Sequence, residues 1–187
     1  MFIFKNSIKN QTHIFIHIPK NGGKFIRNKI KKDNNHIVIK SNLFKEKNIH
    51  LAHIPYMKKE KYIDPSIEYH YFTYTRNPYD RIISAFFYKN PTKNIQNFKD
   101  FCKNELLTMD FNLNFDKKYI HYYPQYLFIC DEKNNIPTNI DIKKIEEHEH
   151  PKKYNLIDYL DNKCIEIINK VYKDDFTLLN YEIKNTI

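Results

Sequence analysis

A chain of 187 residues with 41% apolar and 16% aromatic side chains suits one folded domain built on a single central sheet, which excludes a disordered or fibrous class. Its formal charge of +9, from 31 Lys and Arg against 22 Asp and Glu, fits an anionic partner such as a nucleotide, an acidic glycan or nucleic acid, or else a Lys-rich surface set by codon usage. Three widely spaced Cys (Cys102, Cys130, Cys164) exclude a disulfide framework and a zinc site and predict buried reduced thiols; with no leader-like start and no apolar run near ~18 residues, the expectation is a cytoplasmic protein without a membrane span.

The hydrophobic pattern predicts a buried strand over 14–18. A short helix follows, with Phe25, Ile26 and Ile30 as its apolar residues and Arg27, Lys29, Lys31 and Lys32 on its outer side. A second strand is expected over 36–39, another over 49–53 that is closed by Pro55, and a third clear strand over 70–75, rich in aromatic and β-branched residues. Tyr79, Ile82, Ile83, Phe86 and Phe87 recur at i, i+3, i+4, i+7 and i+8, one apolar face of a helix reaching 89, with Asp80, Ser84 and Tyr88 on a different face. A further amphipathic helix is expected over 95–107, and a late strand or buried helix over 126–130. Residues 131–151, polar and charged with two Pro, read as a loop with little regular structure, and 162–172 as a last helix. Strand–helix alternation of this kind indicates an α/β domain with a mostly parallel sheet, spanning 1–187 as one domain.

Two segments carry the chemistry. Glycine occurs only twice, as Gly22-Gly23 within Pro19-Lys20-Asn21-Gly22-Gly23-Lys24, between an apolar strand and a helix. That is where backbone N–H groups can be brought up to a phosphate. The loop is not a Walker A motif, which would need Gly at 18 and Ser or Thr at 25; those positions hold Ile18 and Phe25, and this disfavours a nucleotide kinase. The second segment runs from Thr73 to Phe86. Arg76 ends a strand and Ser84 lies in the helix that follows, so a planar fork and a hydroxyl can converge on one phosphate at the edge of the sheet. Only three Arg stand among 28 Lys, and two of them, Arg76 and Arg81, are in this segment. No aromatic–basic RNA-binding pattern or helix-turn-helix signal is present, so no nucleic-acid partner is expected.

Together these segments resemble sulfotransferases that use 3′-phosphoadenosine-5′-phosphosulfate (PAPS), in their carbohydrate-type branch. The likeness lies in Pro19-Lys20-Asn21-Gly22-Gly23 and in Arg76-Asn77-Pro78 through Ser84, in order and spacing. Leu51-Ala52-His53-Ile54-Pro55-Tyr56, Tyr123-Pro124-Gln125 and Tyr172 through Tyr181 look like its further landmarks. The resemblance implies a three-layer, P-loop-like fold with a central mostly parallel sheet flanked by helices. It implies transfer of a sulfuryl group from PAPS, without a metal, to a hydroxyl or amine acceptor, most simply a glycan, leaving 3′,5′-ADP. It places the donor on Lys20, Asn21, Gly22, Gly23, Lys24 and Phe25 at the 5′ end and on Arg76 and Ser84 at the 3′-phosphate. Lys20 and His53 become the catalytic pair, with His50 and Glu60 as alternative bases. The family usually has Thr at position 21 and hydroxyl residues after the glycines; Asn21, Lys24 and Phe25 depart from that. A noncatalytic nucleotide- or glycan-binding domain of the same fold is the other reading.

Overall fold

A computed structural model describes residues 1–40, 45–46, 49–50, 53–112, 115–116, 118–145 and 156–186. Leu51 and Ala52, and His148, His150 and Pro151 of the expected loop, lie outside the described residues. The chain divides into two compact units, residues 1–75 with 127–145 and residues 76–126 with 146–187.

The first unit is a five-stranded sheet in the order β3-β1-β2-β6-β7. Its strands are β1 (Phe2–Asn6), β2 (Gln11–Ile16), β3 (His36–Lys40), β6 (Tyr69–Thr75) and β7 (Ile140–Lys144). The pairs β2–β6 and β6–β7 are parallel, while β1 runs antiparallel to both β2 and β3, so four of the five strands point the same way. A two-residue pair, β4 (Lys45–Glu46) with β5 (Ile49–His50), stands apart. It takes up the start of the strand expected over 49–53, and His53 itself lies in a turn rather than a strand.

Alternation along the strands sorts the side chains. Phe2, Phe4, Phe15, Val38, Phe72 and Tyr74 gather with Ile26 and Ile30 of helix α1 (Gly23–Lys32) into one core. Ile3, Ile14, Ile16 and Tyr71, at the alternate positions, are also buried. The sheet is therefore covered on both faces, as a parallel arrangement requires.

Three strands escaped the sequence pattern, the two-residue β4 among them. Strand β1 is short and ends in an Asx turn, where the Asn6 carboxamide oxygen accepts from the N–H groups of Ile8 and Lys9 and turns the chain into β2. Strand β7 corrects the loop expected over 131–151. Only Ile140 and Ile142 are apolar in Ile-Asp-Ile-Lys-Lys, but an edge strand needs one sheltered row of side chains; Asp141 and Lys143 lie on the other row, and Lys144 ends the strand exposed. The segment 126–130 is neither strand nor buried helix. It is a single 3-10 turn, Tyr126–Phe128, leading into fully buried Ile129 and Cys130.

The second unit is helical: α2 (Pro78–Lys89), α3 (Ile95–Asn104), α4 (Leu156–Tyr159), α5 (Asn162–Val171) and α6 (Lys173–Leu178). Its core combines the predicted α2 face, Tyr79, Ile82, Ile83 and Phe86, with Phe98, Phe101, Cys102, Cys164, Ile168, Tyr172 and Phe176. The three thiols are free and buried, as expected. Among the described residues no helix is long and apolar enough to cross a membrane.

Candidate functional site

The glycine loop connects β2 to α1. Lys20 takes a positive φ of 70° and Gly22 one of 66°, the left-handed region that suits glycine. Left-handed residues next to a helix start are the kind of backbone that can turn N–H groups toward an anion. The Asn21 side chain is buried, and its amide donates to the Tyr74 carbonyl at 2.8 Å, pinning the loop to the end of β6. Lys20 is half-buried, while Lys24 and Phe25 are exposed on the first turn of α1. That helix has no acidic residue in its first turn and no side-chain cap, whereas Lys29, Lys31 and Lys32 complement its C-terminal end.

His53 is tied to this loop from below. Its Nδ1 lies 2.9 Å from the His17 carbonyl oxygen. A carbonyl can only accept, so Nδ1 carries the proton and the neutral ring keeps its lone pair on Nε2. The His53 ring also packs on the His17 ring, centroids 4.4 Å apart and tilted by 49°, and both side chains are buried. His17 was not a candidate in the sequence, where it reads as an alternating strand residue. Glu60 is exposed, in the 3-10 stretch Tyr56–Tyr62 that follows. Within that stretch the Lys59 ammonium sits 3.9 Å from the Tyr56 ring centroid, and Tyr56 packs edge-on against Tyr71, whose hydroxyl burial pushes to about 12.

In the second unit Arg76 directly follows the last residue of β6. Its backbone is gripped at both groups by one side chain: the Arg76 N–H donates to Gln125 Oε1 at 2.9 Å, and Gln125 Nε2 donates to the Arg76 carbonyl at 2.8 Å. Gln125 and Tyr126 are held in turn by the fully buried Asp175 carboxylate, which accepts their two N–H groups at 2.9 and 2.8 Å. Burial raises the Asp175 carboxyl to about 6, with the Arg81 charge and these N–H groups pulling the other way. Burial likewise lowers the Arg81 guanidinium, which donates to the His121 carbonyl at 3.3 Å. Thus Arg81 is an interior residue, Arg76 is half-buried, and Ser84 is half-buried on α2. The α2 start is closed by Asn77, which accepts from the Tyr79 N–H, with Pro78 at the first position.

Sequence reasoning treated Gln125 and Asp175 only as landmarks. The structure gives them a job, because they fix the backbone from which the Arg76 side chain extends.

A family model described as the sulfotransferase family matches residues 8–157, most of the chain. No curated protein and no solved structure matches it.

Proposed function

The chain belongs to the sulfotransferase family, and on that premise we propose that it moves the sulfuryl group of PAPS to a hydroxyl or amine acceptor, a glycan being the acceptor class favoured here. The observation that carries this reading is the start of α1, where a left-handed Gly22 precedes a helix without cap or acidic residue. Those N–H groups suit a dianionic 5′-phosphate, and they do so through the backbone, so the hydroxyls replaced by Asn21, Lys24 and Phe25 are not required for it. The three-layer, P-loop-like arrangement and a single working domain over 1–187 belong to the same reading.

PAPS supplies the sulfuryl group and a good leaving phosphate. The chain must position both reactants and balance charge on the leaving oxygen. Lys20 stands at the loop as the cation for the bridging oxygen, whose bond to sulfur breaks. His53 Nε2, the lone-pair nitrogen, takes the proton of the acceptor as its oxygen or nitrogen bonds sulfur. Arg76 and Ser84 read the 3′-phosphate, with Gln125 and Asp175 holding the Arg76 backbone in register.

The test is calorimetry with 3′,5′-ADP, 5′-AMP and ATP–Mg²⁺, each with and without EDTA, followed by a transfer assay from labelled PAPS. The expected order is 3′,5′-ADP tightest and indifferent to EDTA. Tighter binding of ATP–Mg²⁺ would overturn the reading in favour of a kinase, and binding of 3′,5′-ADP without transfer to any saccharide in a panel would favour the noncatalytic domain.

A further inference from the structure

The two glycines are required for different reasons. Gly22 has a positive φ. Gly23 does not; it is the first residue of α1, where alanine would be the better helix former. What keeps a side chain off Gly23 is His17: a Cβ built there would fall inside the His17 imidazole, against Nε2, Cδ2 and Cε1. The His17 ring is itself clamped. It stacks on Phe15 at 5.7 Å with 20° between the planes, and it packs against the His53 ring at 4.4 Å. Its backbone carbonyl takes the His53 Nδ1 proton. One residue, 8% exposed, therefore touches both the glycine loop and the imidazole assigned as base.

We propose that His17 is a positioning residue for sulfuryl transfer, a wedge whose imidazole ties the donor-phosphate loop to the His53 base so that the two keep one relative geometry. This rests on the sulfotransferase reading and adds to it. Lys20 and His53 act on opposite ends of the reacting system, the leaving oxygen and the attacking nucleophile. In-line transfer is sensitive to their separation, and the His17 side chain meets both the Gly23 position and the His53 ring.

The experiment is a cycle of four proteins: wild type, His17→Ala, Gly23→Ala and the double variant. Melting temperature, 3′,5′-ADP affinity, and kcat and KM for PAPS are measured on each. Gly23→Ala alone should lower the melting temperature by about 5 °C, because the new methyl meets the ring. In the His17→Ala background the same change should cost nothing, since the space is open and alanine favours the helix. His17→Ala should lower kcat by about 10²-fold while 3′,5′-ADP affinity falls by less than about tenfold, and the double variant should regain packing without regaining kcat. That split separates positioning from mere structure. Wild-type kcat in His17→Ala, or a Gly23→Ala protein that melts like wild type, overturns the wedge. A wild-type protein that transfers nothing from PAPS overturns the sulfotransferase reading instead, and the melting cycle, which needs no substrate, then decides separately whether the wedge exists.

Discussion

The two compact units carry basic residues at nearly equal density and differ in their carboxylates. Residues 1–75 with 127–145 hold 17 Lys and Arg against 8 Asp and Glu; residues 76–126 with 146–187 hold 14 against 14. The whole net charge of +9 thus belongs to the unit with the glycine loop. Lysine follows the composition of the chain wherever it goes, so codon usage accounts for the lysines and leaves the shortage of carboxylates in the first unit unexplained. Helix starts repeat the contrast. In the second unit α2, α3 and α5 are closed by Asn77, Asn94 and Asp161, while α1 in the first begins open and without a first-turn acid. Helix α6 of the second unit has no side-chain cap but carries Asp174 and Asp175 in its first turn, so its end is served by its own carboxylates. The first unit sets no side-chain acceptor or acid at α1 and holds the surplus of positive charge. In the second unit the Asn77 side chain occupies the Tyr79 N–H at the start of α2, which leaves phosphate reading there to side chains such as Arg76.

The largest break of this comparison is expected at His53. His53→Ala should lower kcat by roughly 10²–10⁴ and leave 3′,5′-ADP affinity nearly unchanged, since the phosphates are held elsewhere. Single-turnover transfer from PAPS measures it, and a variant with full turnover would move the base to His50 or Glu60.

Next comes the internal satisfaction of the second unit, tested by Asp175→Asn. The substitution leaves Arg81 buried beside a neutral group and weakens the acceptor for the Gln125 and Tyr126 N–H groups. Stability should drop by about 3–5 kcal/mol, the usual result of removing one partner of a buried charge pair. The pH dependence has a definite sign. Burial places the Asp175 carboxyl at about 6, above its ordinary 3.8, so the folded protein holds this proton more tightly than the unfolded chain. Relative to the Asn variant, the wild type should lose stability as pH rises from about 4 to about 6, with a constant difference above that. Urea unfolding of both proteins across this range gives the slope, and a wild type that gains stability over the window would show the carboxylate to be held ionised by its hydrogen bonds instead.

Legibility in the sequence followed the same division. Long periodic elements were readable: the α2 face from Tyr79 to Phe87, the aromatic strand β6 and the glycine loop. Elements whose logic is pairing rather than periodicity were not. Strand β1 presents three apolar residues and a turn, and it lies between β2 and β3 because both flanking strands offer partners. Strand β7 hides in a charged segment because an edge strand shelters one row of side chains. In the site, scarcity singled out Gly22, Gly23 and Arg76. His17 stayed invisible because its partners, Gly23 and His53, are 6 and 36 residues away. Arg81 shows where scarcity misleads, since that arginine is kept for burial.

Arg76→Lys sharpens the side-chain half of the comparison. A lysine keeps the charge and loses the planar fork, so 3′,5′-ADP should bind more weakly by about 1.5–3 kcal/mol, the worth of a hydrogen bond to a charged group. Affinity for 5′-AMP should not move, because that ligand lacks the 3′-phosphate. Ser84→Ala should show the same selectivity with a smaller loss. Calorimetry with both nucleotides decides it, and equal losses would mean that Arg76 serves the fold through its neighbours.

The smallest effect comes from the two helix starts themselves. Asn77→Ala removes a side-chain acceptor from the α2 N-terminus and should cost about 1 kcal/mol of stability, with both nucleotide affinities intact. Gly22→Ala costs a similar amount, since an L residue is strained at φ 66° by about 1–2 kcal/mol. Its consequence for ligands should be the opposite. Relaxing that strain rotates the N–H groups of the loop, so 3′,5′-ADP and 5′-AMP, which share the 5′-phosphate, should weaken together and by the same factor. The two substitutions thus match in stability and part in binding. A Gly22→Ala protein that melts lower yet holds both nucleotides as the wild type does would show that the open start of α1 is not the phosphate site, whatever the charge of the unit around it.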